Sequence, residues 1–250
     1  MAIERVGAVL GTALVTGGAS GIGAATCELL ARAGWRVAVA DRDLAGARAL
    51  ADRIDGYPIA VDVADEDSVA RCFDDALAAL GGALDALATP AGIADMTPFL
   101  DLDAATFRRV YDVNVIGTFL CVREAARRMR PGGRICTVAS VAGKRGGGLT
   151  GTAAYAASKG AVLALSRNAA RALAPLGIAV NCVAPGATLT PMLHEAFADP
   201  AHRAQVEAQA LLKRSAEPHE IAEAIVWLLS PRASFVDGET LTVDGGLMLD

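Results

Sequence analysis

The chain has 250 residues, 53% of them hydrophobic and 20% charged, with 26 glycines and a formal net charge of −5 at pH 7. That length suits one α/β domain, and the composition excludes a disordered chain. The acidic balance leaves no cationic stripe for a phosphate backbone, so no nucleic-acid partner is expected.

In chain order, the apolar run 6–15 follows Glu4 and Arg5, is too short to cross a membrane and leads into a glycine loop without a cleavage pattern. It reads as a core strand, with no membrane partner and a cytoplasmic location expected. Short apolar or β-branched runs predict strands at 12–16, 36–40, 59–61, 84–88, 134–139, 178–183 and 240–243. Helical patterns fall between them at 21–33, 44–54, 66–80, 104–130, 153–174 and 220–229. Gly34, Gly56, Pro131-Gly132-Gly133 and Gly177 supply the stops. Such alternation predicts right-handed βαβ crossovers: a doubly wound, seven-stranded parallel sheet with helices on both faces, as a single-domain Rossmann fold over residues 1–250.

After the first strand comes Thr16-Gly17-Gly18-Ala19-Ser20-Gly21-Ile22-Gly23, a glycine turn that opens a helix. Bare backbone there can approach a pyrophosphate, whose charge suits the unpaired N–H groups of the helix terminus. Gly17, Ser20, Gly21, Ile22 and Gly23 are the candidate cradle. Asp41 ends the next strand 18 residues after Gly23. A carboxylate there accepts bonds from both ribose hydroxyls and repels a 2′-phosphate, so NAD(H) is expected over NADP(H), with Arg42 the opposing residue. Asp62-Val63 after the third strand can contact adenine, or Asp62 can cap the next helix.

Farther along, Arg123, Arg127, Arg128 and Arg130 cluster with Glu124 on an amphipathic helix, a solvated or subunit-facing surface. The five cysteines lack paired spacing and read as reduced, buried thiols. His194, His202 and His219 form no ligand pattern, and no metal is expected.

Tyr155 and Lys159 stand at i and i+4, on one helix face. The chain has only three lysines among 23 lysines and arginines, so the cation chosen here is a compact ammonium, able to bond a hydroxyl and to lower the pKa of a nearby phenol. A phenol tuned in this way can exchange protons near neutral pH.

With these motifs the chain resembles the short-chain dehydrogenase/reductase family over nearly its whole length. The glycine pattern at Thr16, Gly17, Gly21 and Gly23, then Asn114, Ser140, Tyr155 and Lys159, Pro185-Gly186, Thr190 and Asp244-Gly245-Gly246 fall in the family's order. The resemblance implies that Tyr155 passes a proton to or from the substrate oxygen while hydride moves at nicotinamide C4, with pro-S transfer. By the same resemblance Ser140 bonds that oxygen, Lys159 bonds the nicotinamide ribose, and Asn114 holds a water beside Lys159. Pro185, Gly186, Thr188 and Thr190 are expected on the nicotinamide side, Gly92 in the cofactor loop, 187–215 as a substrate lid, and a homotetramer as the assembly. The implied reaction interconverts a small-molecule secondary alcohol and a ketone. An NADPH-dependent 3-oxoacyl thioester reductase, or a dinucleotide-binding regulator without turnover, are the alternative readings.

Two segments depart from the family pattern. Thr89-Pro90-Ala91-Gly92 replaces the usual Asn-Asn-Ala-Gly, removing one backbone donor at Pro90, with Thr89 still able to supply a hydroxyl. The glycine-rich segment 144–152 suggests an open lip in which Leu149, Thr150 and Thr152 offer little charge to an anionic substrate.

Overall fold

The computed structural model describes residues 10–147, 152–194 and 196–249. The start of the 6–15 run and, within the glycine-rich segment, Leu149 and Thr150 lie outside these residues.

Seven strands form one parallel sheet in the order β3-β2-β1-β4-β5-β6-β7. They are β1 (Thr12–Thr16), β2 (Arg36–Asp41), β3 (Tyr57–Ala60), β4 (Ala86–Thr89), β5 (Arg134–Val138), β6 (Ala179–Pro185) and β7 (Thr240–Val243). The helices are α1 (Gly21–Arg32), α2 (Leu44–Ile54), α3 (Glu66–Leu80), α4 (Ala104–Tyr111), α5 (Gly117–Arg128), α6 (Val141–Arg145), α7 (Ala153–Leu173), α8 (Pro200–Glu207) and α9 (Pro218–Leu229).

Burial explains the near-continuous apolar strands, because both faces of the sheet are covered. Along β1, Leu14 joins one core with Phe73, Leu87, Leu120 and Ile135. Its neighbours Ala13 and Val15 turn to the opposite core with Leu30, Val37, Ile221 and Ile225. Period-two alternation therefore divides the strand between two apolar layers rather than between core and water. Pro58 sits in β3, an edge strand, where its missing N–H leaves no central ladder position vacant.

The expected continuous helix 104–130 is interrupted. Residues Asp112–Ile116 form a π turn between α4 and α5. Beside it the Thr118 hydroxyl bonds the Asn114 carbonyl at 2.7 Å, and Gly117 lies so close to Val63 that a β-carbon would stand 2.9 Å from it. Helices α6 and α8 are absent from the sequence expectation; α6 has only five residues, too few for a periodic signal.

The arginines on α5 surround a buried partner. Glu124 is 4% exposed and accepts from Arg123, Arg127 and Arg128, while Arg128 also reaches Asp74 and Arg123 reaches Glu66 on α3. Burial pushes the Glu124 carboxyl up, but the arginines outweigh it and hold it below the usual range. All five cysteines are buried and free, and burial raises each thiol. Among the described residues no helix is long and apolar enough to cross a membrane.

Candidate active site

The sheet reverses its winding between β1 and β4, and crossovers leaving opposite faces there open a crevice at the carboxyl ends of the strands. A cleft of about 380 Å³ occupies this position. Of the residues picked out from sequence, Gly17, Ser20, Gly21, Ile22, Gly23, Asp41, Asp62, Val63, Gly92, Ser140, Tyr155, Lys159, Pro185, Gly186, Thr188 and Thr190 all line it. Asn114 does not; it lies fully buried behind the wall.

At one end the glycine turn folds on itself. A β-carbon at Gly23 would stand 2.0 Å from the Gly17 carbonyl oxygen, and one at Gly17 would stand 2.7 Å from Ala91. Gly17 and Gly21 also hold φ of 64° and 53°, which disfavours any larger residue. Ser20 is the N-cap of α1 but makes no side-chain cap bond, so its hydroxyl leaves the first N–H groups of the helix uncapped. Asp41 is tied to this turn: Oδ2 accepts from the Ala19 N–H at 3.0 Å and Oδ1 from the Asp43 N–H at 2.9 Å.

Asp62 does not cap α3. Its carboxylate accepts from Ala64 N–H at 3.0 Å, and Asp65 is the cap, accepting from Ser68 N–H. Nor does the Thr89 hydroxyl serve its loop: it is buried, like that of Thr16, without a hydrogen-bond partner.

At the other end, Ser140 closes β5 and caps α6, accepting from the Ala142 N–H at 3.1 Å. Helix α6 seats against α7 through Gly143, where a β-carbon would lie 2.5 Å from the Gly160 nitrogen. Tyr155 is half-buried, whereas Lys159 is 4% exposed and donates to the Val138 carbonyl at 2.8 Å. The Lys159 nitrogen stands 5.8 Å from the centre of the Tyr155 ring. Burial lowers the Lys159 ammonium to about 8. Burial likewise raises the Tyr155 phenol above its ordinary value, with Ser140 pulling the other way.

The Asn114 side chain is spent on the protein itself. Its oxygen accepts from Ile93 N–H at 2.8 Å, and its amide donates to the Ile93 carbonyl and to Ser158 Oγ, both at 2.9 Å. Both amide hydrogens are thus used in bracing the cofactor loop against α7.

On the far wall the Thr188 hydroxyl donates to the Gly186 carbonyl at 3.1 Å. Thr190 packs on the glycine turn, its Cγ2 lying 3.1 Å from where a Gly21 β-carbon would be. Gly186 touches the Asp244 backbone and donates to Val243.

Several features escaped sequence reasoning. Asp95, 9% exposed, accepts from the hydroxyls of Thr97 and of Thr152 at the head of α7. Arg109 and Arg145 both line the cleft. Arg145 thus places a charge on the cleft from the same glycine-rich segment, apart from Leu149, Thr150 and Thr152; the run Lys144-Arg145 was the available signal.

Residues 17–248 match the family model described as enoyl-(acyl carrier protein) reductase. The chain is 44% identical to the cis-4-hydroxycyclohexanecarboxylate dehydrogenase of Sinomonas cyclohexanicum over 243 residues, 94% of this chain and 95% of that one. It is 42% identical to the 2,5-dichloro-2,5-cyclohexadiene-1,4-diol dehydrogenase of Sphingobium indicum over 244 residues, 94% and 96% of the two chains. A crystal structure from Brucella melitensis, described as short-chain dehydrogenase/reductase SDR:glucose/ribitol dehydrogenase, superposes with a TM-score of 0.88 at 34% identity, covering 96% of this chain and 97% of that one. Relatives that share both the sequence and the sheet over nearly their full lengths place the chain in the short-chain dehydrogenase/reductase family, as an oxidoreductase acting on CH–OH groups with a nicotinamide cofactor.

Proposed function

We propose that the protein is an NAD-dependent dehydrogenase interconverting a ring-borne secondary alcohol and its ketone, with Tyr155 as general acid and base. The observation that carries this reading is the cleft wall on which Ser140 and Tyr155 meet in front of the buried Lys159. The ring-shaped substrate is suggested by the two dehydrogenase relatives, whose names give cyclohexane and cyclohexadiene alcohols.

The residues present suit the dinucleotide: a turn folded too tightly for β-carbons at Gly17 and Gly23, a helix terminus that Ser20 leaves uncapped, and Asp41 beside it. When bound, nicotinamide supplies or receives the hydride. Gly17, Ser20, Gly21, Ile22 and Gly23 hold the pyrophosphate, Asp41 the adenosine ribose, Asp62, Val63 and Gly92 the adenine side, and Pro185, Gly186, Thr188 and Thr190 the carboxamide side. In oxidation Tyr155 takes the hydroxyl proton, Ser140 holds the same oxygen, and Lys159 favours the tyrosinate. Asn114 keeps Ile93 and Ser158 in place. Residues 187–215 close over the substrate as part of one domain. The protein works in the cytoplasm as a homotetramer, for which Ile116 and Phe119, both 41% exposed next to Arg123, supply an apolar face on and beside α5.

The test is turnover of cyclohexanol and 4-hydroxycyclohexanecarboxylate with NAD and with NADP, in wild type and Tyr155→Phe. Turnover with NAD, lost by about 10²-fold or more in the variant while NADH still binds, supports the reading. Preference for NADPH with 3-oxoacyl thioesters would replace it with a reductase, and NADH binding without turnover of any alcohol or ketone with a regulator.

A further inference from the structure

Charge is unevenly spread along the cleft. The carboxylates among its described lining residues are Asp41, which ends β2, and Asp62, which follows β3, on the side of the glycine turn, where Arg42 also lies. Arg109 enters from α4, one turn before Val113. The wall that carries Ser140 and Tyr155 holds Arg145 and no described carboxylate. A guanidinium with no described carboxylate beside it at that end attracts an anion rather than a neutral or cationic ligand.

Its surroundings leave this guanidinium available. Both Arg145 Nη atoms donate to Gln209 Oε1 at 3.3 Å, long contacts to a neutral acceptor, and no ion pair joins it to a described carboxylate. A guanidinium carries five N–H donors, and a carboxylate accepts two of them side by side with shorter, charge-assisted bonds. The position is also fixed. Arg145 is the last residue of α6, two beyond the Gly143 that presses on α7, so the helix carrying Tyr155 holds the helix carrying Arg145. From Ser140 to Arg145 the backbone advances about 7.5 Å, so the two residues stand at different points along the cleft they both line. Ile93, Val141, Met192 and Leu193 are among the residues that line the same cleft and offer apolar surface to a carbocycle.

We infer that Arg145 is a carboxylate-binding, specificity-determining residue, and that the substrate is a ring secondary alcohol that also carries a carboxylate. The inference rests on the dehydrogenase reading above and narrows its substrate class. Because Gln209 belongs to the segment proposed to close over the cleft, the same arginine joins the bound acid to that segment.

The test is calorimetric titration of the protein–NADH complex with cyclohexanecarboxylate and with cyclohexanecarboxamide, in wild type, Arg145→Gln and Arg145→Lys, with thermal unfolding to confirm the fold of each. The expected result is acid bound at least tenfold more tightly than amide by wild type, a preference erased in Arg145→Gln and partly kept in Arg145→Lys. Equal binding of acid and amide by wild type, or a preference that survives in Arg145→Gln, overturns the inference while ring-alcohol turnover with NAD leaves the dehydrogenase reading standing. Absence of both binding and ring-alcohol turnover overturns the two together.

Discussion

Gly143 and Lys159 are in backbone contact: a β-carbon at position 143 would stand 2.6 Å from the Lys159 carbonyl carbon and 2.5 Å from the Gly160 nitrogen. The neighbours are main chain, so neither can swing aside as a side-chain tip would. The small residue is what allows α6, which carries Ser140, to reach α7, which carries Tyr155 and Lys159.

Gly143→Ala is therefore expected to push α6 off α7. Overpacking of this kind costs about 1–3 kcal/mol, which for a chain of this size lowers Tm by roughly 2–4 °C per kcal/mol. Turnover should fall by at least about tenfold through misplaced groups. Thermal unfolding and steady-state rates check both; a variant with wild-type Tm and kcat would contradict the contact.

Cofactor choice should respond to the charge of Asp41. In Asp41→Asn the repulsion of a 2′-phosphate is removed and one of the bonds to Ala19 or Asp43 is weakened. The ratio of kcat/KM for NAD to that for NADP is expected to drop about tenfold or more, equivalent to about 1.4 kcal/mol. An unchanged ratio would mean that Arg42 or the turn itself selects the cofactor.

The alkaline behaviour of the site follows from burial. The buried Lys159 ammonium has its pKa lowered to about 8 from 10.5, so between these values the unfolded chain binds more protons and the stability difference between wild type and Lys159→Met should rise with pH. Tyr155 is shifted upward by burial, so without NAD its phenol should stay protonated beyond pH about 10. The positive nicotinamide ring of NAD should bring it down. Ultraviolet difference titration of tyrosinate, wild type against Tyr155→Phe with and without NAD, measures this directly.

Asn114→Ala removes three hydrogen bonds and leaves the N–H and carbonyl of Ile93 without their partner, while Ser158 keeps its bond to the Tyr155 carbonyl. A loss of about 1–3 kcal/mol of stability is expected from the part-buried backbone groups left unpaired. Because Ile93 follows Gly92 in the cleft wall, the KM for NAD should rise as well. Denaturant unfolding and cofactor titration test the two effects; a drop in kcat alone, with stability kept, would favour a proton-path role instead.

What could be read from sequence was what chemistry packs into short spans. The glycine turn, Asp41 and the Tyr155–Lys159 pair are each defined by spacing along one strand, turn or helix, and the seven apolar runs predict the sheet for the same reason. Asp95 binding Thr152, Gly143 beneath Lys159, and Arg145 facing the cleft depend on segments that only folding brings together. Boundaries shifted where tertiary context prevails over pattern, as at β3, which begins at Tyr57 because its register with Ala38 extends it past Pro58.

The π turn at 112–116 amounts to one surplus residue wound into an otherwise α-helical path. Helices α4 and α5 are therefore out of phase, and each can turn its own apolar stripe inward. Deleting one residue within the turn would return the path to a regular helix and rotate one half by about 100° relative to the other. Either Asn114 would swing away from Ile93 or Leu120 and Ala125 would leave the core. Such a deletion, conservative in composition and in helix propensity, should be worse tolerated than most substitutions at the same positions.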